Sequence, residues 1–137
     1  MPVSSIHTVM IIDDDPDDSE LFCETIHEIN ENIACIPAAN GLEALVYLKK
    51  TSVLPDLIFL DLNMPRMSGK QCLGEIKKMD HLVHIPVIIY STSKIEDDVQ
   101  ETKALGAFDF ITKPYRVNDI KKKILQVLEK AYPYKIS

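Results

Sequence analysis

Five short apolar runs punctuate this chain, and each is followed by a stretch with apolar residues at helical spacing. The runs are Val9–Ile12, Ile33–Ile36, Leu57–Leu60, Val87–Tyr90 and Phe108–Ile111. Leu57–Leu60 is too short for a helix bounded by Pro55-Asp56 and Asp61, and reads as a strand buried on both faces. Strands that alternate with helices predict a parallel sheet covered on both sides. Right-handed crossovers leave few ways to wind it.

The natural choice is a flavodoxin-like order, 2-1-3-4-5, in an α/β domain of five parallel strands. Helix boundaries support this alternation. Asp15-Pro16 with Asp18, Asn40 with Glu43, Ser68 with Gln71, and Ser93 with Glu96 are all helix-start signals. Gly106 marks a helix end, and a last helix is predicted over Val117–Ala131. The expected inward faces are Leu21, Phe22, Thr25, Ile26 and Ile29 in the first helix, and Leu42, Leu45, Val46 and Leu48 in the second. In the third they are Cys72, Leu73, Ile76 and Met79, and in the fourth a thin set of Ile95, Val99 and Leu105. Val117, Ile120, Ile124, Leu128 and Ala131 line the fifth. Pro37 is expected to end the second strand. No repeat or linker interrupts the pattern, so residues 1–137 are expected to form a single domain.

Composition narrows the function. A hydrophobic share of 46% and a charged share of 26% are those of an ordinary globule, which argues against disorder. The net charge of −6 offers no basic footprint for nucleic acid. No apolar run approaches a membrane span, and no secretory leader is visible, so a cytoplasmic protein is expected. Cys23, Cys35 and Cys72 are odd in number and widely spaced, without a Cys-x-x-Cys, so reduced thiols are the expectation.

Polar residues sit where the strands end: Asp13 and Asp14 after the first, Asp61 after the third, Ser91 after the fourth, Lys113 after the fifth. In the order 2-1-3-4-5 these four strands are neighbours, so the side chains converge on one crevice. Clustered carboxylates oppose each other's ionisation unless a cation sits among them. Oxygen ligands alone suit a hard cation such as Mg²⁺. A dication, an ammonium and a hydroxyl around one carboxylate are what a phosphoryl group needs, because its transfer depends on positioning and neutralisation. Asp61 is then the nucleophile, forming an acyl phosphate.

Each residue also has a plainer reading. Asp15 is assigned to the helix cap, and Asp17 and Asp18 to the helix dipole. Asp14 is preferred over Asp13 as the direct metal ligand. Lys113 reads as a surface lysine except for its place before Pro114. Ser68 and Ser93 read as caps. His7, His27, His81 and His84 have no ligand-like partners, and Lys121-Lys122-Lys123 reads as a solvated helix face.

These features together resemble the receiver domains of two-component response regulators. The resemblance covers nearly the whole chain and rests on Asp13-Asp14, Asp61 in Asp-Leu-Asn-Met-Pro-x-Met-Ser-Gly, Ser91-Thr92 and Lys113-Pro114. The acidic start and the Ser-Thr-Ser segment look most like the small stand-alone receivers that partner phytochrome-type kinases. The resemblance implies that Asp61 takes a phosphoryl group from a phosphohistidine on a sensor histidine kinase or phosphotransfer protein. It implies Mg²⁺ held by Asp14, Asp61 and the backbone carbonyl of Asn63, with Asp13 acting mostly through metal-bound water. Lys113 and Ser91 would contact the phosphoryl oxygens, with Lys113-Pro114 a cis peptide. Ser91 and Phe110 would be the switch pair. The hydroxyl position holds Ser rather than Thr, which keeps a hydrogen bond and loses a methyl contact. Such a protein catalyses only its own phosphorylation and dephosphorylation. It signals through altered contacts with a downstream protein or a second copy of itself. The alternatives are a phosphorylation-independent interaction module, a flavin protein and an aspartate-dependent phosphohydrolase on the same fold. The aspartates after the first strand would repel a flavin phosphate. The phosphohydrolase pattern wants a second Asp where Asn63 stands.

Overall fold

In a computed structural model, which describes residues 6–92 and 96–132, the five apolar runs become strands. They are β1 Thr8–Ile12, β2 Ala34–Ala38, β3 Leu57–Leu60, β4 Val87–Ser91 and β5 Asp109–Thr112. The helices that follow them are α1 Pro16–Ile29, α2 Gly41–Lys50, α3 Gly69–Lys78, α4 Glu96–Ala104 and α5 Val117–Ala131. All pairings are parallel, in the order β2-β1-β3-β4-β5.

Helix starts follow the local chemistry. The Asp15 carboxylate accepts from the amides of Asp17 and Asp18, with Pro16 opening α1. Asn40 accepts from the Glu43 amide to start α2. Ser68 and Gln71 form a reciprocal capping box on α3. The Ser93 part of the fourth capping signal, and Ile95 beside it, lie outside the described residues. So does the chain beyond Tyr132. Gly106 closes the segment after α4 with φ 107°, a left-handed conformation that glycine adopts without a Cβ penalty.

The pleat sorts the strands into two cores. Met10, Ile12, Ile58, Leu60, Val87 and Ile89 point to one face, under α2 and α3. Val9, Ile11, Leu57, Phe59, Ile88 and Tyr90 point to the other, under α1 and α5. There Phe22 of α1 meets Phe59 and Tyr90 with ring centroids 4.7 and 5.6 Å apart. Asp56 fixes the start of the sheet: its carboxylate accepts from the amides of His7 and Thr8 at 2.8 and 3.0 Å.

Several expectations are corrected. Pro37 does not end β2; it lies within it, opposite Ile11. Strand β2 is an edge, where a missing donor leaves no partner unpaired. In α2, Leu42 and Val46 are 45% and 54% exposed, while Gly41, Ala44, Leu45 and Leu48 face inward. The helix lies so close to α3 and the loop before it that a Cβ on Gly41 would be 3.3 Å from Cys72 Cβ and 3.0 Å from Met67 Sδ, so small residues take the contact. Val117 is likewise exposed, and Val127 is buried in its stead. Cys23 and Cys35 are not free thiols but a disulfide, because α1 crosses β2 and brings their Cα atoms to 5.5 Å. Lys113-Pro114 is not cis; no described peptide bond is. Among the described residues no helix is long and apolar enough to cross a membrane.

Candidate functional site

The sheet continues by one residue at the carboxyl end of three strands, and these extra backbone bonds set the site. The Asp13 amide donates to Ala38 O at 3.1 Å, the Asp61 amide to Ile12 O at 2.9 Å, and the Lys113 amide to Ser91 O at 2.8 Å. The side chains that follow therefore start from fixed backbone. Asp13, Asp61 and Ser91 are buried, and Asp14 is exposed.

Carboxylate oxygens of Asp13, Asp14 and Asp61 all lie within 4.8 Å of one another. Asp13 Oδ1 accepts from the Asp15 amide at 2.9 Å, and Oδ2 accepts from Lys113 Nζ at 2.6 Å. The same ammonium donates to Asp18 Oδ2 at 2.9 Å and stands 5.5 Å from the Tyr90 ring centre. The Ser91 hydroxyl and the Leu62 amide stand beside the Asp61 carboxylate and favour its charged form.

The electrostatics follow from burial. Loss of solvent pushes the Asp61 carboxyl above its ordinary value; the Lys113 charge opposes this, and the Asp13 charge adds to it. Asp13 is raised by burial too, against its bond to Lys113. For Lys113, burial alone would lower the value, but its bonds to Asp13 and Asp18 hold it above the ordinary lysine range. Tyr90, under the ammonium, is pushed by burial up to about 12.

Three acids this close favour a bound cation, and the donor set is entirely oxygen, which suits a hard dication. The residues present fit Mg²⁺. The combination of a hydroxyl on Asp61, an ammonium beside it and an acidic cation pocket can stabilise negative charge gathered on a phosphoryl group.

The structure thus brings together Asp13, Asp14, Asp61, Ser91 and Lys113. Asn63 lies exposed in the loop after β3. Phe110 stands apart, half-buried against the α2–α3 core, and lines a cavity of about 400 Å³ with Val99, Thr102 and Ala107.

Two further residues carry the geometry. Asp18, assigned from sequence to the helix dipole, is the second carboxylate on Lys113. Its signal was the excess of acids between residues 13 and 18, more than a cap and a dipole need. Gly69 opens α3 directly on the backbone of Asp61 and Leu62: its amide donates to Leu62 O at 2.9 Å. A Cβ there would run into Asp61 O and lie 2.6 Å from Leu62 Cα. Its signal was a glycine at a first helical position, where nearly any other residue favours the helix more. The loop between β3 and α3 turns at Arg66, with φ 69° and the Met67 amide on Pro65 O at 2.7 Å, the pattern of a γ-turn.

Known proteins resemble this chain over most of its length. A family model described as the response regulator receiver domain matches residues 9–125. Response regulator Rcp1 of Synechocystis is 32% identical over 121 residues, covering 85% of this chain and 82% of Rcp1. The crystal structure of the phosphorylated cyanobacterial phytochrome response regulator RcpA superposes with a TM-score of 0.83 at 29% identity, over 93% of this chain and 94% of RcpA. A Mn²⁺-bound form of Rcp1 superposes with a TM-score of 0.81 at 30% identity, over 92% and 94% of the two chains.

Proposed function

This chain belongs to the response regulator receiver domain family, and from that premise we propose that Asp61 is its phosphoryl acceptor. The observation that carries the proposal is the geometry around Asp61. Its buried carboxylate stands beside the Ser91 hydroxyl and shares a pocket with two more acids and the Lys113 ammonium.

Receiver domains work with histidine kinases or phosphotransfer proteins. In the proposed reaction an Asp61 oxygen attacks the phosphorus of a phosphohistidine. The new O–P bond forms as the N–P bond breaks, and the electron pair leaves on the imidazole. Ser91 donates to one phosphoryl oxygen. Lys113 gives part of its hold on Asp13 and Asp18 to another, since the product adds negative charge beside it. Asp13, Asp14, Asp61 and the backbone carbonyl of Asn63 would hold Mg²⁺, which when bound neutralises charge on the phosphoryl oxygens. The fit of three carboxylates supports this, as does the Mn²⁺-bound form of Rcp1.

The protein is a signalling protein, and the proposal adds that it catalyses its own phosphorylation and dephosphorylation in the cytoplasm. Residues 1–137 act as one receiver domain. Movement of Ser91 toward the phosphoryl group draws Phe110 into the cavity beside it, and the α4–β5–α5 surface changes its contacts. The output goes to a downstream protein or a second copy of the chain. The likeness to a phytochrome response regulator supports a phytochrome-type kinase as donor.

Intact-mass measurement after incubation with acetyl phosphate and Mg²⁺ tests the reading. Wild type should gain one phosphoryl group, lost on treatment with hydroxylamine, and Asp61→Asn should gain none. Equal gain by both proteins places the acceptor elsewhere.

A further inference from the structure

We propose that Cys23 and Cys35 form a reversible disulfide site, made and opened by exchange with a small thiol of the glutathione type. Cys23 lies on α1 and Cys35 on β2, 12 residues apart, with Cα atoms 5.5 Å apart, a span that a disulfide bridges. Both are only partly buried. Both line a groove of about 690 Å³ that runs from Asp13 and Asp14 past Ser19 to His27 and Pro37. Since β2 is the sheet edge, paired with β1 alone among the described residues, the groove opens beside its free side. A disulfide placed to seal a core is shielded from attack. This one packs against the core under α1 on one side and lines an open groove on the other, which gives a thiolate an approach, the setting of labile and regulatory bonds.

The third cysteine cannot compete. Cys72 is fully buried on the opposite face of the sheet, and burial pushes its thiol up to about 12. Exchange is therefore confined to one pair. One protein thiolate attacks oxidised glutathione, forming a mixed disulfide and releasing one glutathione. The second protein thiolate attacks the bound sulfur and releases the other. Two thiol protons and two electrons pass from the protein to glutathione, and reduced glutathione reverses both steps.

The bond ties together two elements that place the acidic partners of Lys113. Strand β2 fixes Asp13 through Ala38 O, and α1 carries Asp18. Cys23 follows Asp18 by five residues, about 7.5 Å along a helix. Closing the bond therefore pins the helix near its acidic first turn.

The test is independent of phosphoryl transfer. The full chain is equilibrated across a series of reduced-to-oxidised glutathione ratios, quenched in acid, and alkylated with N-ethylmaleimide after unfolding. Intact mass should show two species that interconvert with the ratio. One carries an adduct on each of the three cysteines, and the other carries an adduct on Cys72 alone. Cys23→Ser should show no closed form. Hydrogen exchange at residues 17–23 and 34–38 should be slower in the closed form, and the thermal midpoint higher. Three adducts at every ratio would overturn the proposal. So would glutathione fixed on one cysteine without closure, or a closed form that reduced glutathione never opens.

Discussion

Two glycines of the same helix should respond to alanine with opposite signs. Gly74, in the middle of α3, has nothing within 4 Å of an added Cβ. Gly74→Ala therefore realises the helix-propensity gain alone, about 0.5–1 kcal/mol of stabilisation. At Gly69 an added Cβ meets the main chain of Asp61 and Leu62, 2.9 Å from Asp61 C and 2.6 Å from Leu62 Cα. Carbon atoms rest at about 3.5–4.0 Å, so roughly 1 Å must open between α3 and the end of β3. Backbone on both sides leaves no side chain to swing away. Overpacking of this kind costs about 1–3 kcal/mol, and stretching the Gly69 amide off Leu62 O from its 2.9 Å contact removes a bond worth about 1 kcal/mol. The propensity gain offsets less than about 1 kcal/mol of that. Gly69→Ala should therefore lose about 2–3 kcal/mol, read as a lower urea midpoint at unchanged slope. A shift of about 1 Å at the acceptor should also slow phosphorylation by acetyl phosphate by roughly tenfold or more, whereas Gly74→Ala keeps the native rate. If Gly69→Ala is as stable as Gly74→Ala, the close approach is not real. If it is destabilised but phosphorylates normally, Gly69 supports the fold and does not position Asp61.

Other expectations follow from the same geometry. Burial raises the Asp61 carboxyl above 3.8 in the folded chain, so the folded state holds that proton more tightly than the unfolded one. Without metal, stability should fall as pH climbs from 3.8 through the raised value, and Asp61→Asn should remove that part of the slope in urea melts. Saturating Mg²⁺ should raise the melting midpoint at neutral pH, lose the effect in acid, and do little to Asp61→Asn. Phe22→Ala, which empties the contact with Phe59 and Tyr90, should cost about 3–5 kcal/mol by denaturant titration; a loss under about 1 kcal/mol would contradict the packing. Val46→Lys on the exposed side of α2 should stay within about 0.5 kcal/mol of wild type, while Leu45→Lys should abolish the cooperative transition. Equal loss at both positions would restore the face read from hydrophobicity alone.

Period and punctuation determined the architecture. Apolar runs alternating with capped helices leave almost one winding, and Asp15, Asn40, Ser68 and Gly106 act through backbone groups within a few residues of themselves. Strand-end residues were legible for the same reason: a parallel sheet puts the ends of neighbouring strands side by side, so Asp13, Asp61, Ser91 and Lys113 had to meet. What depends on distance between elements was not legible. The inward face of α2 kept Leu45 and Leu48 but took Gly41 and Ala44 in place of Leu42 and Val46, where α3 and the loop before it come close, a spacing that no single-helix periodicity carries. Asp18 reached Lys113, across 95 residues of sequence, only once α1 was docked on the sheet. Cys23 and Cys35 became partners by that same docking. Local hydrogen bonds and apolar period are written residue by residue, whereas the gap between two packed surfaces is set by all their side chains at once.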